Sequence, residues 1–279
     1  MNGTAATDDR QTAARPGFAA RLAALGVTPN MISYAGAGCA LAASAVLALA
    51  AGHALPGTAA RPGIPTSWWP VLAGALLTVS ALADMLDGAV ARGGGLQTRF
   101  GALLDSTLDR FADMALFAGC AVYFAAAGNV TFVLICFVAA TGAVQVSYVK
   151  ARAENLTTGV GVGFWQRGER IVSLLVGAYT GHVASALCFI AAFSLFTVFR
   201  RVRAARRRLE SADRTDPPSI AAYERVSDRY APWRQRRSTV SYWAFCALIA
   251  TAIVTSPLLL PFMNGLSDPL GRALAGLGG

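Results

Sequence analysis

The chain has 279 residues, of which 55% are hydrophobic and only 14% charged, and its mean hydropathy is +0.49. Long apolar runs carry that excess, which excludes a water-soluble globular class and implies a polytopic membrane protein. The net charge of +9 comes from arginines that flank the apolar runs, where basic residues set topology and meet anionic headgroups; no nucleic-acid partner is expected.

In chain order, residues 1–29 form a polar, basic arm with no cleavable signal peptide, ending in the turn Thr28-Pro29-Asn30. Spans are expected at about 31–51, 69–91, 101–127, 130–150, 169–181 with 183–199 directly behind it, and 240–263. Residues 52–67, rich in Pro and Gly, read as an external loop, and Gly93-Gly94-Gly95 as a tight internal turn between the second and third spans. Residues 201–238 form a basic cytoplasmic segment broken at Pro217-Pro218. Arg200 to Glu210 continues the preceding helix, because Arg, Ala and Leu are good helix formers. A further span and a Gly/Leu-rich tail occupy 239–279. The expected fold is all-α: a polytopic bundle with a six-helix core over 30–200 and an extra C-terminal span. No inverted internal repeat of the transporter kind is found.

With the N-terminus in the cytoplasm and alternating spans, 21 of the 24 basic residues fall on the cytoplasmic side. The five cysteines, Cys39, Cys120, Cys136, Cys188 and Cys246, sit in apolar runs without metal-ligand spacing and read as small buried hydrophobes. His53 and His182 read as loop residues at the opposite end from the acids described next.

Four aspartates interrupt the second and third spans: Asp84, Asp87, Asp105 and Asp109. A carboxylate there costs about 2.5–3.5 kcal/mol by insertion scales, so such acids face a partner or a ligand. Three helical residues turn by about 300° and four by about 400°, so each pair shares a helix face. Two helix ends presenting two acids each suit divalent cations held through oxygen. Arg92 has the donor fork for phosphate. Gly88 and Gly101 lack side chains, which serves either close helix packing or approach of a nucleotide. Asp113, one turn beyond Asp109, is either support for the cluster or merely interfacial.

The complete run D-x2-D-G-x2-A-R-x8-G-x3-D-x3-D, from Asp84 to Asp109, resembles the signature of the CDP-alcohol phosphatidyltransferase family. These are membrane enzymes that make phospholipids from a CDP-linked lipid and an alcohol. The resemblance covers about residues 26–205. It implies that Asp84, Asp87, Asp105 and Asp109 bind two divalent cations, Mg2+ or Mn2+, and that Asp109 is also the general base. A basic site at a helix face would not by itself name the acceptor. Two stretches, Thr98 to Arg110 and Ser147 to Glu154 followed by Arg167-Gly-Glu-Arg170, are similar to the bacterial phosphatidylinositol phosphate synthase branch. On that resemblance Thr28, Pro29, Asn30, Met31, Asp84, Gly88, Arg92, Thr98 and Gly101 hold the CDP-lipid. Lys150, Arg152, Arg167, Arg170 and Arg201 hold the phosphate of the acceptor.

The resemblance therefore implies transfer of a phosphatidyl group from CDP-diacylglycerol to a phosphorylated polyol, inositol phosphate first and glycerol 3-phosphate as the alternative, with release of CMP. It also implies a homodimer in the bacterial cytoplasmic membrane with the site facing the cytoplasm. A cation transporter is the rival reading of four intramembrane acids, but transporter sites lie near the midplane between repeats, whereas these straddle a cytoplasmic turn. A catalytically silent lipid-binding scaffold is a third, opposed by the intact set of acids.

Overall fold

Helix starts in this chain are written by capping side chains. Thr28, Thr98 and Asn129 each accept the backbone N–H three residues on, at 3.3, 2.9 and 3.1 Å. The computed structural model describes residues 18–50, 53, 65–156, 165–212 and 240–277. Among these it forms nine α-helices, one 3-10 turn and no strand: α1 (Phe18–Ala24), α2 (Pro29–Leu49), α3 (Trp69–Gly93), α4 (Arg99–Ala126), α5 (Val130–Glu154), α6 (Arg167–Thr180), α7 (Val183–Ala212), α8 (Val240–Leu259), a 3-10 turn (Pro261–Asn264) and α9 (Pro269–Leu277). In a bilayer this is the expected solution, since helices satisfy their own backbone groups.

Among the described residues five helices are long and apolar enough to cross a membrane: α2, α3, α5, α7 and α8. α4 is as long, with 28 residues, but carries Asp105, Asp109, Arg110 and Asp113 along its first 15. α6 has 14 residues and spans only about 21 Å, short of a bilayer core of about 30 Å. It ends at Gly181, whose φ of +76° turns the chain straight into α7. A helix is found at each expected span to within a few residues, and Arg200 to Glu210 does prolong α7. α5 runs past the expected 150 to Glu154. The last span is shorter than expected, with Pro257 inside α8 and the 3-10 turn after it. The Gly/Leu-rich tail forms α9. Most of the N-terminal arm, the 52–67 loop and the 213–238 part of the basic segment lie outside the described residues.

α2 packs against both α3 and α4, α5 bridges α4 and α7, α6 lies between α3 and α7, and α8 covers α6 and α7. Glycines set the tightest of these contacts. A Cβ on Gly119 of α4 would stand 2.5 Å from the Ser44 carbonyl of α2, and one on Gly36 of α2 would stand 3.0 Å from Ala83 Cβ of α3. Ser44 Oγ also donates to the Ala115 carbonyl at 2.5 Å. Phe124 and Phe132 stack at 4.8 Å in the core, as do Trp165 and Phe193 at 5.0 Å. All five cysteines are free, as their spacing implied.

At the end away from the acids, Asp268 fastens the tail to α5. It accepts from the Thr131 hydroxyl at 2.5 Å and from the Val130 and Thr131 amides, while Asn129 Nδ2 donates to the Gly265 carbonyl at 2.9 Å. The Thr131 hydroxyl first, then the Gly271 amide, hold the Asp268 carboxyl down to about 2. His53 and His182 lie at this same end, where Tyr123 Oη donates to the His53 carbonyl and His182 Nδ1 meets Thr180 Oγ1 at 3.2 Å.

Candidate active site

The last turns of α3 and the first turns of α4 bring the four aspartates of the motif into one small cavity, with Arg167 of α6 and Ser33 of α2 in its wall. Carboxylate oxygens of Asp84, Asp105 and Asp109 lie within 4.8 Å of one another. Asp87 is held from the other side: Ser33 Oγ donates to its Oδ2 at 2.6 Å. The donor set is all carboxylate oxygen with a hydroxyl in support, which fits a hard divalent cation and no soft one. A positive group already stands among these acids. Arg167 Nη1 is 2.7 Å from Asp84 Oδ1 and 2.9 Å from Asp109 Oδ1. The demand of this cluster for a cation is therefore visible in the fold itself.

Arg110 and Arg92, also near the acids in sequence, behave differently. Arg110 donates to the Ser106 carbonyl of its own helix, and Arg92 lies beneath Gly88, where a Cβ would meet its guanidinium at 3.2 Å. A Cβ on Gly101 would meet Thr98 Oγ1 at 2.9 Å and Asn30 Oδ1 at 3.3 Å. Gly88 meets only its own helix and Gly101 its own cap and the Asn30 side chain of α2, whereas Gly36 and Gly119 meet a Cβ or the backbone of a neighbouring helix. Gly88 and Gly101 instead wall a second cavity of about 520 Å3 beside the acids, lined also by Pro29, Asn30, Asp87, Arg92, Thr98 and Asp105. The N-termini of α2 and α4 both open on it, and such ends favour anions. Of the residues assigned to the CDP-lipid, Thr28 and Met31 do not line it: Thr28 caps α2 and Met31 is exposed. Asp84 faces the smaller cavity.

On the other side of Asp109 lies a buried basic cluster. Arg170, 2% exposed, gives Nη2 to Asp113 Oδ2 at 2.6 Å, while its Nε and Nη1 find no hydrogen-bond partner among the described residues. Arg167 Nε approaches Asp113 Oδ1 at 3.5 Å. Arg201 of α7 donates to the Val146 carbonyl of α5 and lies close enough to Arg170 and Glu154 for their charges to interact. Buried donors without partners are costly, and an anion is the ligand that would satisfy them. Lys150 is half exposed and pairs with Glu154 at 3.9 Å, and Arg152 is exposed. Arg167, Arg170 and Arg201 thus converge, Lys150 reaches them through Glu154, and Arg152 stays outside.

Sequence reading left Asp113 undecided and missed Ser33 and Glu169. Asp113 joins Arg167 and Arg170, so it supports the basic cluster. Ser33 lies one turn after Asn30 on the α2 face that meets α3, a signal only in hindsight. Glu169 closes the capping box of α6 by accepting from the Gln166 amide at 2.9 Å.

Comparison with known proteins shows the family. The family model for CDP-alcohol phosphatidyltransferase matches residues 26–205. An archaetidylinositol phosphate synthase of Pyrococcus horikoshii is 34% identical over 68% of this chain and 89% of its own length. A phosphatidylinositol phosphate synthase of Corynebacterium glutamicum is 35% identical over 71% of this chain and 86% of its own. The crystal structure of Mycobacterium tuberculosis phosphatidylinositol phosphate synthase with CDP-DAG bound superposes with a TM-score of 0.57 at 26% identity, covering 67% of this chain and 90% of that one. The same enzyme in complex with manganese and citrate gives 0.54 at 25% identity, covering 68% and 88%. With its signature acids gathered in one metal-fitting cavity, this chain belongs to the CDP-alcohol phosphatidyltransferase family, integral membrane enzymes that use a divalent metal to move a phosphatidyl group from a CDP-linked lipid to an alcohol.

Proposed function

We propose that this protein is a phosphatidylinositol phosphate synthase, joining the phosphatidyl group of CDP-diacylglycerol to inositol phosphate and releasing CMP. The observation that carries the choice of acceptor is the buried Arg167–Arg170–Arg201 cluster with two unpartnered Arg170 donors, set beside Asp109. A phosphorylated acceptor needs such donors, whereas a choline head would need aromatic faces.

In this reading the cavity between α2, α3 and α4 holds the cytidine diphosphate head, its volume lying within the usual range of about 300–1,000 Å3. The N-termini of α2 and α4 and the Arg92 guanidinium face its pyrophosphate. Asp84, Asp87, Asp105 and Asp109 would hold the divalent ions, Mg2+ or Mn2+. The four motif carboxylates would be matched in charge by two divalent ions. The metal, when bound, supplies charge neutralisation of the pyrophosphate and of the leaving CMP. Asp109 lies against Arg167 and within reach of Asp84 and Asp105, and from there its carboxylate takes the proton of the attacking hydroxyl. Arg170, fixed by Asp113, binds the acceptor phosphate and orients that hydroxyl toward the phosphorus. The oxygen–phosphorus bond to the acceptor forms as the bond to CMP breaks. The basic flanks of the spans support a cytoplasmic position for this end of the bundle in a bacterial membrane, and the family resemblance supports a homodimer.

The test is to incubate purified protein with CDP-diacylglycerol and, separately, inositol phosphate, glycerol 3-phosphate and free inositol, identifying the lipid by mass. Inositol phosphate is expected to give the product; product with glycerol 3-phosphate alone would overturn the acceptor. Asp109→Asn should insert and bind CDP-lipid yet release no CMP, and wild-type turnover in that variant would refute its role as base.

A further inference from the structure

Beyond residue 205, where the family match ends, the described chain adds α8, and one side chain of α8 reaches the functional end of the bundle. Tyr242, 8% exposed, donates its hydroxyl to Glu169 Oε1 at 2.5 Å. Glu169 is itself 6% exposed, and its other oxygen accepts the Gln166 amide. This carboxylate belongs to the first turn of α6, between the two arginines that face α4. On a helix Glu169 points about 200° away from Arg167 and about 100° from Arg170. The arginines therefore meet Asp84, Asp109 and Asp113 of α3 and α4, while the glutamate meets α8.

A buried carboxylate draws the nearest strong donors. Deprived of the tyrosine hydroxyl, Glu169 would compete for the guanidinium of Arg170 one residue away in sequence, turning it from Asp113 and from any anion bound there. We propose that Tyr242 is a positioning residue for the transfer reaction: α8 holds Glu169 aside and so keeps Arg170 and Arg167 available to the acceptor phosphate. The added C-terminal span thereby sets acceptor affinity, although it touches neither the motif acids nor the lipid cavity. The inference rests on reading the arginine cluster as the acceptor site.

The experiment measures initial rates of the purified full-length enzyme while varying inositol phosphate and CDP-diacylglycerol in turn. Tyr242→Phe keeps the ring and removes only the hydroxyl. Its KM for inositol phosphate should rise roughly three- to tenfold, the equivalent of one hydrogen bond, with kcat and the KM for CDP-diacylglycerol unchanged. Adding Glu169→Gln to Tyr242→Phe should bring the acceptor KM back toward wild type, because a neutral amide no longer competes for guanidinium. A merely structural tyrosine would show no such rescue. Arg170→Lys serves as the reference for the acceptor site. A raised acceptor KM in Arg170→Lys with none in Tyr242→Phe overturns the role of Tyr242 and leaves the acceptor site standing. No change in Arg170→Lys brings down the acceptor reading and this inference with it. A uniform loss of kcat in Tyr242→Phe, without a KM split, also overturns it.

Discussion

Removing the Ser33 hydroxyl probes how the acids are held ready for metal. That hydroxyl lies 2.6 Å from Asp87 Oδ2 and 3.1 Å from the Pro29 carbonyl, and its single proton serves one acceptor. A hydrogen bond to a charged group is worth about 1.5–3 kcal/mol against about 0.5–1.5 for a neutral one, so Asp87 takes it. Ser33→Ala therefore releases one carboxylate oxygen of Asp87 from its orientation without touching the other acids. Loss of a partner that orients a metal ligand typically costs 10–100-fold in affinity, or about 1.4–2.7 kcal/mol, which matches the strength of the bond removed. The assay is a Mn2+ titration of detergent-purified protein, following free Mn2+ by electron paramagnetic resonance, so that binding is read without turnover. Ser33→Thr, which keeps the hydroxyl, should bind like the wild type. Manganese binding as tight in Ser33→Ala as in the wild type would refute the claim that Asp87 is a ligand held by α2.

Two further outcomes follow from the packing. Gly119→Ala gains about 1 kcal/mol of helix propensity but pushes a methyl against the Ser44 backbone carbonyl, which cannot swing aside. Overpacking costs about 1–3 kcal/mol, so the melting temperature in detergent should fall; an unchanged or raised value would refute the tight α2–α4 contact. Asp268 is held at about 2, below an ordinary aspartate at 3.8, so its contribution is present above pH 3.8 and is lost as pH falls through 2. Asp268→Asn should flatten the pH dependence of the melting temperature in that window, and a wild-type profile would show that the clasp on α5 adds nothing.

Local sequence determined the elements of this protein and the identity of its acids. Apolar runs of membrane length and caps such as Thr28, Thr98 and Asn129 are short-range signals, which is why most helices fall within a few residues of their expected bounds. The spacing of Asp84, Asp87, Asp105 and Asp109 fixes helix faces through the 3.6-residue turn, so their meeting in one cavity was legible in the string itself. What decided the rest acts between residues far apart in the chain. The 54-residue separation of Ser33 from Asp87, and the 73 residues between Glu169 and Tyr242, leave no periodic trace. Packing alone distinguished Gly88 and Gly101, which wall the cavity beside the acids, from Gly36 and Gly119, which bring helix backbones close. It also split five similar cations, drawing Arg167, Arg170 and Arg201 inward while Lys150 and Arg152 stayed at the surface, because a long side chain follows whichever carboxylate or carbonyl the neighbouring helix presents.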